Sequence, residues 1–146
     1  KVDGKWYNMD VTWNDTDNGK HSYAYFCIPT DVIEQDHTFQ NDVFAVPSAV
    51  SDDLSYAKVM GITSYSDAST AYNELITRAA ANFKKGVYTT TVFVKDTGIN
   101  SLVSKVKSGL FDDLKANGCS VRSMSCSYGT SPYGVGYSFY ELTLSA

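Results

Sequence analysis

VYTTTVFV, residues 87–94, is the stretch that decides the fold of the larger part of the chain. Its β-branched and aromatic side chains favour extended backbone, because they pack well on a pleated surface. Both alternating sets of side chains are fairly apolar, as in a central strand. The stretch therefore predicts a central strand of a β-sheet.

An amphipathic helix is predicted before this strand. Apolar side chains recur at helical spacing over residues 68–83, and Ser66 is a candidate N-cap. Gly86 follows two lysines and is well placed to end the helix, since glycine readily adopts the left-handed conformation that a helix end requires. Ahead of the helix, residues 56–63 are predicted to form a strand.

A second amphipathic helix is predicted after the central strand. Asn100 or Ser101 is its candidate N-cap, and Gly118 is expected to end it. Its apolar positions again recur at helical spacing and should point inward. These positions are Leu102, Val103, Val106, Leu110 and Leu114.

Two further strands, residues 119–128 and 135–144, are predicted around the turn sequence GTSPYG. The element order is then β-α-β-α-β-β, and both helices must bury an apolar face. We therefore predict an α+β fold, a two-layer sandwich with two helices on one face of a mainly antiparallel sheet. Cys119 and Cys126 would point to opposite faces of one strand, so no disulfide is expected between them.

The N-terminal part of the chain is predicted to contain short antiparallel strands. Residues 4–13 alternate as a strand, and Gly4 suits the positive-φ position of a tight hairpin. Residues 22–28 form a second, aromatic strand that Pro29 ends. The edge of the first strand should be covered by the second strand, by the C-terminal module or by another copy of the chain in a homo-oligomer.

A domain boundary is predicted in the middle of the chain. Thr30 is a candidate N-cap for a single helical turn over residues 31–35, and a connection follows. The polar sequence SAVSDD then suggests a linker. We accordingly divide the chain into an N-terminal part, residues 1–47, and a small α+β module, residues 48–146.

The first fifteen residues, KVDGKWYNMDVTWND, combine aromatic and acidic side chains at fixed offsets. This D-G-K-W-Y-x-x-D-x-T-W pattern, with YFCIPTDVIEQDH at residues 25–37, resembles the C-terminal part of the transglutaminase-like superfamily, which has papain-like Cys-His-Asp chemistry. The resemblance covers about the first 45 residues. It implies a bacterial protein that is secreted or held at the cell surface, and a composition rich in Tyr, Ser, Thr and Asn agrees with that location.

The resemblance assigns the catalytic acid of the triad to Asp10, which would orient the base histidine and favour its protonated form. Trp6, Tyr7 and Trp13 would pack around it. The nucleophile cysteine and the base histidine would precede Lys1 in a longer parent, so the chain alone is expected to be inactive. The parent would act on amide bonds of protein or cell-wall peptide, by acyl transfer or hydrolysis and without a cofactor.

Cys27 and His37 are an alternative pair of catalytic partners for Asp10 within the chain itself. A cysteine in an aromatic strand is more often buried and inert. A histidine that follows Asp36 in a connection is more often a capping or surface residue, and His21 lies in a polar loop. The triad of the longer parent is therefore the preferred hypothesis.

Metal and phosphate sites are not expected. Asn14, Asp15, Asp17 and Asn18 are closely spaced oxygen donors of the kind that bind calcium. The stretch lacks the closing glutamate of an EF-hand, so a solvated loop is the preferred interpretation. No glycine-rich loop opens a helix in the manner of a phosphate site.

The bulk composition excludes several classes of function. A net charge of −4 and a pI near 5.0 give no basic surface for nucleic acid or for anionic membrane. The sequence contains no run of about 18 apolar residues, which is the length needed to span a bilayer. Three scattered cysteines are too few for a disulfide framework or a zinc site.

A non-catalytic extracellular module that binds peptide or carbohydrate is the alternative function. Several tyrosines near the C-terminus could form an aromatic surface for such a ligand, although ordinary sheet packing explains them equally well. They are Tyr128, Tyr133, Tyr137 and Tyr140.

Overall fold

The computed structural model describes residues 1–16 and 19–146 and divides them into two compact units. Unit 1 comprises Lys1–Ile62 and Pro132–Val135, and unit 2 comprises Thr63–Ser131 and Gly136–Ala146. The boundary predicted between residues 47 and 48 falls inside unit 1. The division of the chain into two domains at residues 47 and 48 stays a prediction.

Unit 1 is built from short elements. They are β1 (Asn8–Met9), α1 (Val11–Asn14), β2 (Phe26–Ile28), α2 (Thr30–Ile33) and α3 (Tyr56–Val59). The two strands pair antiparallel, so the second predicted strand does cover the first, although both are much shorter than predicted. The predicted hairpin is confirmed, because Val2 and Lys5 exchange backbone hydrogen bonds across a turn in which Gly4 has a φ of 82°.

The predicted strand over residues 4–13 is wrong beyond Met9. Asp10 begins a helical turn instead, because its carboxylate accepts hydrogen bonds from the backbone N–H groups of Thr12 and Trp13. Such N-capping is a preferred role of aspartate, and it competes with an extended backbone. Asp10 and Thr12 therefore do not share a strand face with Trp6.

Two further local predictions are wrong. Pro29, and not Thr30, precedes α2, and the Thr30 hydroxyl instead accepts hydrogen bonds from Asn8 Nδ2 at 3.1 Å and from the N–H of Ala49 at 2.9 Å. The strand predicted over residues 56–63 is largely the helical turn α3. Its N-cap is Ser55, whose hydroxyl accepts a hydrogen bond from the N–H of Lys58.

Unit 2 has the predicted element order, although its first strand lies at residues 64–65 and not at residues 56–63. Its elements are β3 (Ser64–Tyr65), α4 (Ala68–Lys84), β4 (Thr89–Lys95), α5 (Asp96–Ala116), β5 (Ser123–Thr130) and β6 (Tyr137–Ser145). The strands form one sheet in the order β3-β4-β6-β5, in which β3 and β4 are parallel and the other pairs antiparallel. The α+β class is confirmed, and β4 lies inside the sheet as its apolar sequence predicts.

The core of unit 2 lies between the helices and the sheet. All five inward positions predicted for the second helix are buried, and so are Ala71 and Leu75 of α4. The sheet contributes its alternate side chains from β4 and β6, among them Val92 and Tyr140, both with no exposed surface. Helical periodicity in the sequence thus located this core correctly.

Both helix starts differ from the prediction. Asp67, and not Ser66, caps α4 by accepting hydrogen bonds from two backbone N–H groups. Helix α5 begins at Asp96, directly after β4 and before the predicted caps. Gly98 obscured this start, because glycine disfavours helices. A Cβ at that position would come within 3.0 Å of the Val94 side chain, so the glycine allows close packing.

The cysteines are all free. Cys119 is buried and precedes β5, whereas Cys126 is exposed on β5. The prediction that both cysteines lie on one strand is therefore wrong. None of the described helices combines the length and the apolar character that crossing a membrane requires.

Candidate functional site

Asp10 lies at the junction of β1 and α1 in unit 1. Its backbone N–H donates to the carbonyl of Tyr25 at 3.1 Å. Its Oδ1 atom accepts from the N–H groups of Thr12 at 2.8 Å and Trp13 at 2.9 Å. Because both main chain and side chain are held, the second carboxylate oxygen, Oδ2, has a fixed direction.

His37 meets that second oxygen. Its Nε2 atom lies 2.9 Å from Asp10 Oδ2, and its Nδ1 atom lies 2.5 Å from Asp36 Oδ1. The hydroxyl of Tyr25 donates to the other oxygen of Asp36 at 2.6 Å. We call these four residues, Asp10, Tyr25, Asp36 and His37, the acid–histidine cluster.

Aromatic rings enclose the imidazole of the cluster. The Trp13 ring lies 4.5 Å from that of His37, and the Tyr25 ring lies 5.1 Å from it. Trp13 and Tyr25 also contact each other edge to face at 5.3 Å. The side chains of His37 and Asp10 consequently keep only 20% and 21% of their surface exposed.

The charges in the cluster support one another. Asp36 and then Asp10 raise the pKa of His37. The N–H of Trp13 and then His37 lower the pKa of Asp10. Burial and then Asp36 raise the pKa of Tyr25, so its phenol stays protonated. At neutral pH the cluster therefore holds an ionised Asp10 beside a histidine whose two ring nitrogens both face carboxylates.

These shifts predict a pH dependence of stability. The pKa of Asp10 falls below its ordinary 3.8, so its contribution is complete above that value and is lost as the pH falls through the folded-state pKa. The pKa of His37 rises above 6.5, so its contribution is complete below that value and is lost as the pH rises through the folded-state pKa. The cluster should stabilise unit 1 most between these two pH values.

Urea unfolding of the native chain and of His37→Gln, at several pH values, measures this effect. Both tryptophans lie in unit 1, so their fluorescence reports its unfolding. The difference in unfolding free energy between the native chain and His37→Gln should be largest between pH 3.8 and pH 6.5 and should shrink at alkaline pH. His21→Gln controls for the loss of a histidine as such, and the same pH profile in both variants would contradict the prediction.

Cys27 has the environment of an inert thiol. It lies in β2, is 8% exposed, and burial raises its pKa. The structure brings Asp10 and His37 of the alternative triad together. However, both ring nitrogens of His37 are occupied by carboxylates, so the imidazole has no free nitrogen to take a proton from this thiol.

The other residues suggested by the resemblance occupy different positions. Trp13 packs against the cluster, as described above. Trp6 lies beneath the Lys1 ammonium, which is 5.5 Å from the ring centre. Tyr7 donates its hydroxyl to Asp53 at 2.7 Å, and Lys5 pairs with the same carboxylate at 2.6 Å. Tyr7 therefore fastens β1 to a distant part of unit 1.

The candidate calcium loop is only partly described. Asp17 and Asn18 lie outside the described residues, and the Asn14 side chain accepts the backbone N–H of Tyr25. Across residues 1–16 and 19–146, no group of three or more His, Cys, Asp or Glu side chains is arranged to hold a metal ion.

The four C-terminal tyrosines do not share one environment. Tyr140 is fully buried in unit 2, and Tyr128 stacks beside it at 6.1 Å. Tyr133 belongs to unit 1, where it stacks on Tyr56 at 5.2 Å, and Tyr56 stacks on Tyr23 at 4.3 Å. No pattern in the sequence predicts this aromatic column in unit 1.

A cavity of about 460 Å³ lies in unit 2 beyond the end of α5. Its lining includes the cationic side chains of Lys115 and Arg122, the ring of Phe111 and the buried Cys119. It brings no histidine or carboxylate to that thiol, so it offers no pair of nucleophile and base.

The chain has no match among protein-family models, curated proteins or solved structures. The case for its function therefore rests on its own residues. Sequence reasoning identified Asp10, but it missed the roles of Asp36 and Tyr25. The signal that could have found them is the Asp-His dipeptide placed directly after a predicted helical turn.

Proposed function

We propose that residues 1–47 are the C-terminal part of a transglutaminase-like domain and that Asp10 is its triad acid. In a longer parent, Asp10 would orient a base histidine that precedes Lys1 and assists a cysteine nucleophile. The reaction would be acyl transfer or hydrolysis at amide bonds of protein or cell-wall peptide. The chain alone would be inactive.

The observation that carries this proposal is the state of the Asp10 carboxylate. A triad acid must be ionised, fixed in direction and able to accept a hydrogen bond from imidazole. Asp10 is held by two backbone N–H groups, its pKa is lowered, and its Oδ2 atom already has an imidazole as its neighbour. A carboxylate has about four acceptor sites, so three hydrogen bonds leave room for a second imidazole.

His37 has a supporting role in this proposal. It is held between Asp10 and Asp36 and cannot act as the base, since neither ring nitrogen is free. Its positive charge would keep Asp10 ionised inside an aromatic surrounding. The resemblance of residues 25–37 to the segment that follows the acid in the superfamily agrees with such a role.

The test uses the full-length product of the source gene. Incorporation of a fluorescent primary amine into casein, and release of amine from peptide amides, measure acyl transfer and hydrolysis. The parent should show one of the two activities and should be blocked by iodoacetamide, whereas the present chain should show neither. A parent without an upstream cysteine and a histidine shortly before Lys1 would overturn the proposal.

A non-catalytic binding module is the second candidate. Tyr23, at one end of the stacked column of Tyr23, Tyr56 and Tyr133, favours it, because its side chain is 36% exposed and tyrosine is enriched at binding interfaces. The two candidates differ in the residues that precede Lys1, since a module needs no intact triad. An incomplete triad upstream would therefore favour the module.

A further inference from the structure

Strand β5 forms an edge of the sheet in unit 2. It spans Ser123–Thr130 and, among the described residues, pairs with β6 alone, so that no described strand lies on its other side. Its sequence, SMSCSYGT, contains no charged residue and no proline. Charged residues and prolines usually prevent an edge strand from pairing with another chain, so β5 lacks this protection.

The free edge presents backbone hydrogen-bonding groups. Ser131 donates its N–H to the carbonyl of Tyr137, in the same register as the β5–β6 pairs. Odd-numbered residues of β5 therefore direct their backbone groups towards β6. The backbone groups of Met124, Cys126 and Tyr128 consequently point to the free edge.

The side chains of those same three residues form an apolar strip. They lie opposite Leu144, Leu142 and Tyr140 of β6, which belong to the core beneath the helices. Paired residues share a sheet face, so the strip continues the apolar face of the sheet. The strip is nevertheless exposed, with 37% of Met124 and 51% of Tyr128 accessible.

The sequence of β5 is nearly symmetric about Cys126. Residues 123–129 have the pattern Ser-Met-Ser-Cys-Ser-Tyr-Gly. Small residues alternate with Met, Cys and Tyr, and this alternation is the same whether the strand is followed forwards or backwards from Cys126. An antiparallel two-fold pairing about Cys126 would match each position with its mirror position. This self-complementarity favours a second copy of the chain over an unrelated peptide strand.

We propose that two copies of this chain associate through β5, antiparallel and centred on Cys126, to form one continuous eight-stranded sheet. On the apolar strip, Met124 of each copy contacts Tyr128 of the other, and the two Cys126 side chains are neighbours. Methionine packs favourably against aromatic rings. On the opposite face, the small side chains of Ser125 and Ser127 meet without a clash or like charges.

The proposed dimer interface is independent of the proposed triad site in two respects. It lies wholly in unit 2, whereas the acid–histidine cluster lies in unit 1. It also requires no residue before Lys1. The dimer can therefore be present or absent whatever the outcome of the activity test.

Thiol cross-linking of the native chain tests the register. Cα atoms of directly paired residues lie about 5.5 Å apart, which is a separation that a disulfide can bridge. Copper-phenanthroline should therefore convert the chain into a covalent dimer on a non-reducing gel, and Cys126→Ser should abolish that product. Cys27 and Cys119 are buried and should not contribute.

A displaced thiol provides the matched control. In the double variant Cys126→Ser, Ser123→Cys, the two thiols would lie six residues apart across the two-fold axis. This corresponds to about 20 Å along a strand, so no cross-link should form. Equal cross-linking of this variant and the native chain would overturn the proposed register.

Sedimentation equilibrium tests the association itself. Tyr128→Lys replaces the ring that contacts Met124 of the other copy by a charged side chain and should weaken the dimer about ten-fold or more. Val87→Lys introduces the same charge at a residue that is 50% exposed just before β4, and it should leave the dimer unchanged. A native chain that stays monomeric at about 100 μM, or equal effects of both variants, would overturn the proposal.

Discussion

Asp10→Asn in the full-length parent should, if Asp10 is the proposed triad acid, lower kcat/KM by about 10⁴, the size of the kcat loss that the same change causes in a Ser-His-Asp triad. Asparagine is as good an N-cap as aspartate, so its side-chain oxygen can still accept the N–H groups of Thr12 and Trp13. The variant should therefore keep α1. It loses the negative charge that, in the proposed triad, would fix the base histidine and stabilise its protonated form.

Asp36→Asn is the control for this experiment. It removes a carboxylate from the same cluster and affects His37 and Tyr25, but it leaves Asp10 intact. Its kcat/KM should stay within about ten-fold of the native value, because Asp36 is not assigned to the triad. Tryptophan fluorescence and circular dichroism should show that both variants are folded. Equal losses in the two variants would indicate a structural role for the whole cluster and contradict the triad role of Asp10.

The helices and the central strand of unit 2 could be predicted because their signals are local. Apolar residues at helical spacing located α4 and α5, and β-branched residues located β4. Element boundaries were less predictable, because side-chain capping decides them. Ser66 and Asp67 are both good N-caps, and in the structure the Asp67 carboxylate accepts the first-turn N–H groups.

The acid–histidine cluster could be predicted only in part. Asp10 was found through a sequence pattern, but its partner His37 lies 27 residues further along the chain. No periodic signal connects two such residues, since their meeting depends on the short β1–β2 pairing and on the turn at α2. The same reason explains the wrong strand over residues 4–13. Alternating side chains predicted an extended backbone, whereas the Asp10 cap produced a helical turn.

Leu110→Ala should lower the unfolding free energy of unit 2 by about 3 kcal/mol, within the usual range of about 2 to 5 for a buried leucine. Leu110 has no exposed surface and lies in α5 within the core cluster. Truncation removes apolar contacts and leaves a cavity, because a helix packed on a sheet cannot collapse to fill it. The melting temperature of unit 2 should fall by about ten degrees or more.

Phe111→Ala is the matched control for Leu110→Ala. Phe111 is the next residue of the same helix and loses a larger side chain, yet 41% of its surface is exposed. If burial against the sheet holds unit 2 together, Phe111→Ala should lower the unfolding free energy by about 1 kcal/mol or less. Urea unfolding followed by far-ultraviolet circular dichroism measures both variants, since the helices of unit 2 dominate that signal. A Phe111→Ala effect as large as that of Leu110→Ala would show that α5 is anchored by its outer face, and the assignment of the core to the Leu110 side of the helix would fail.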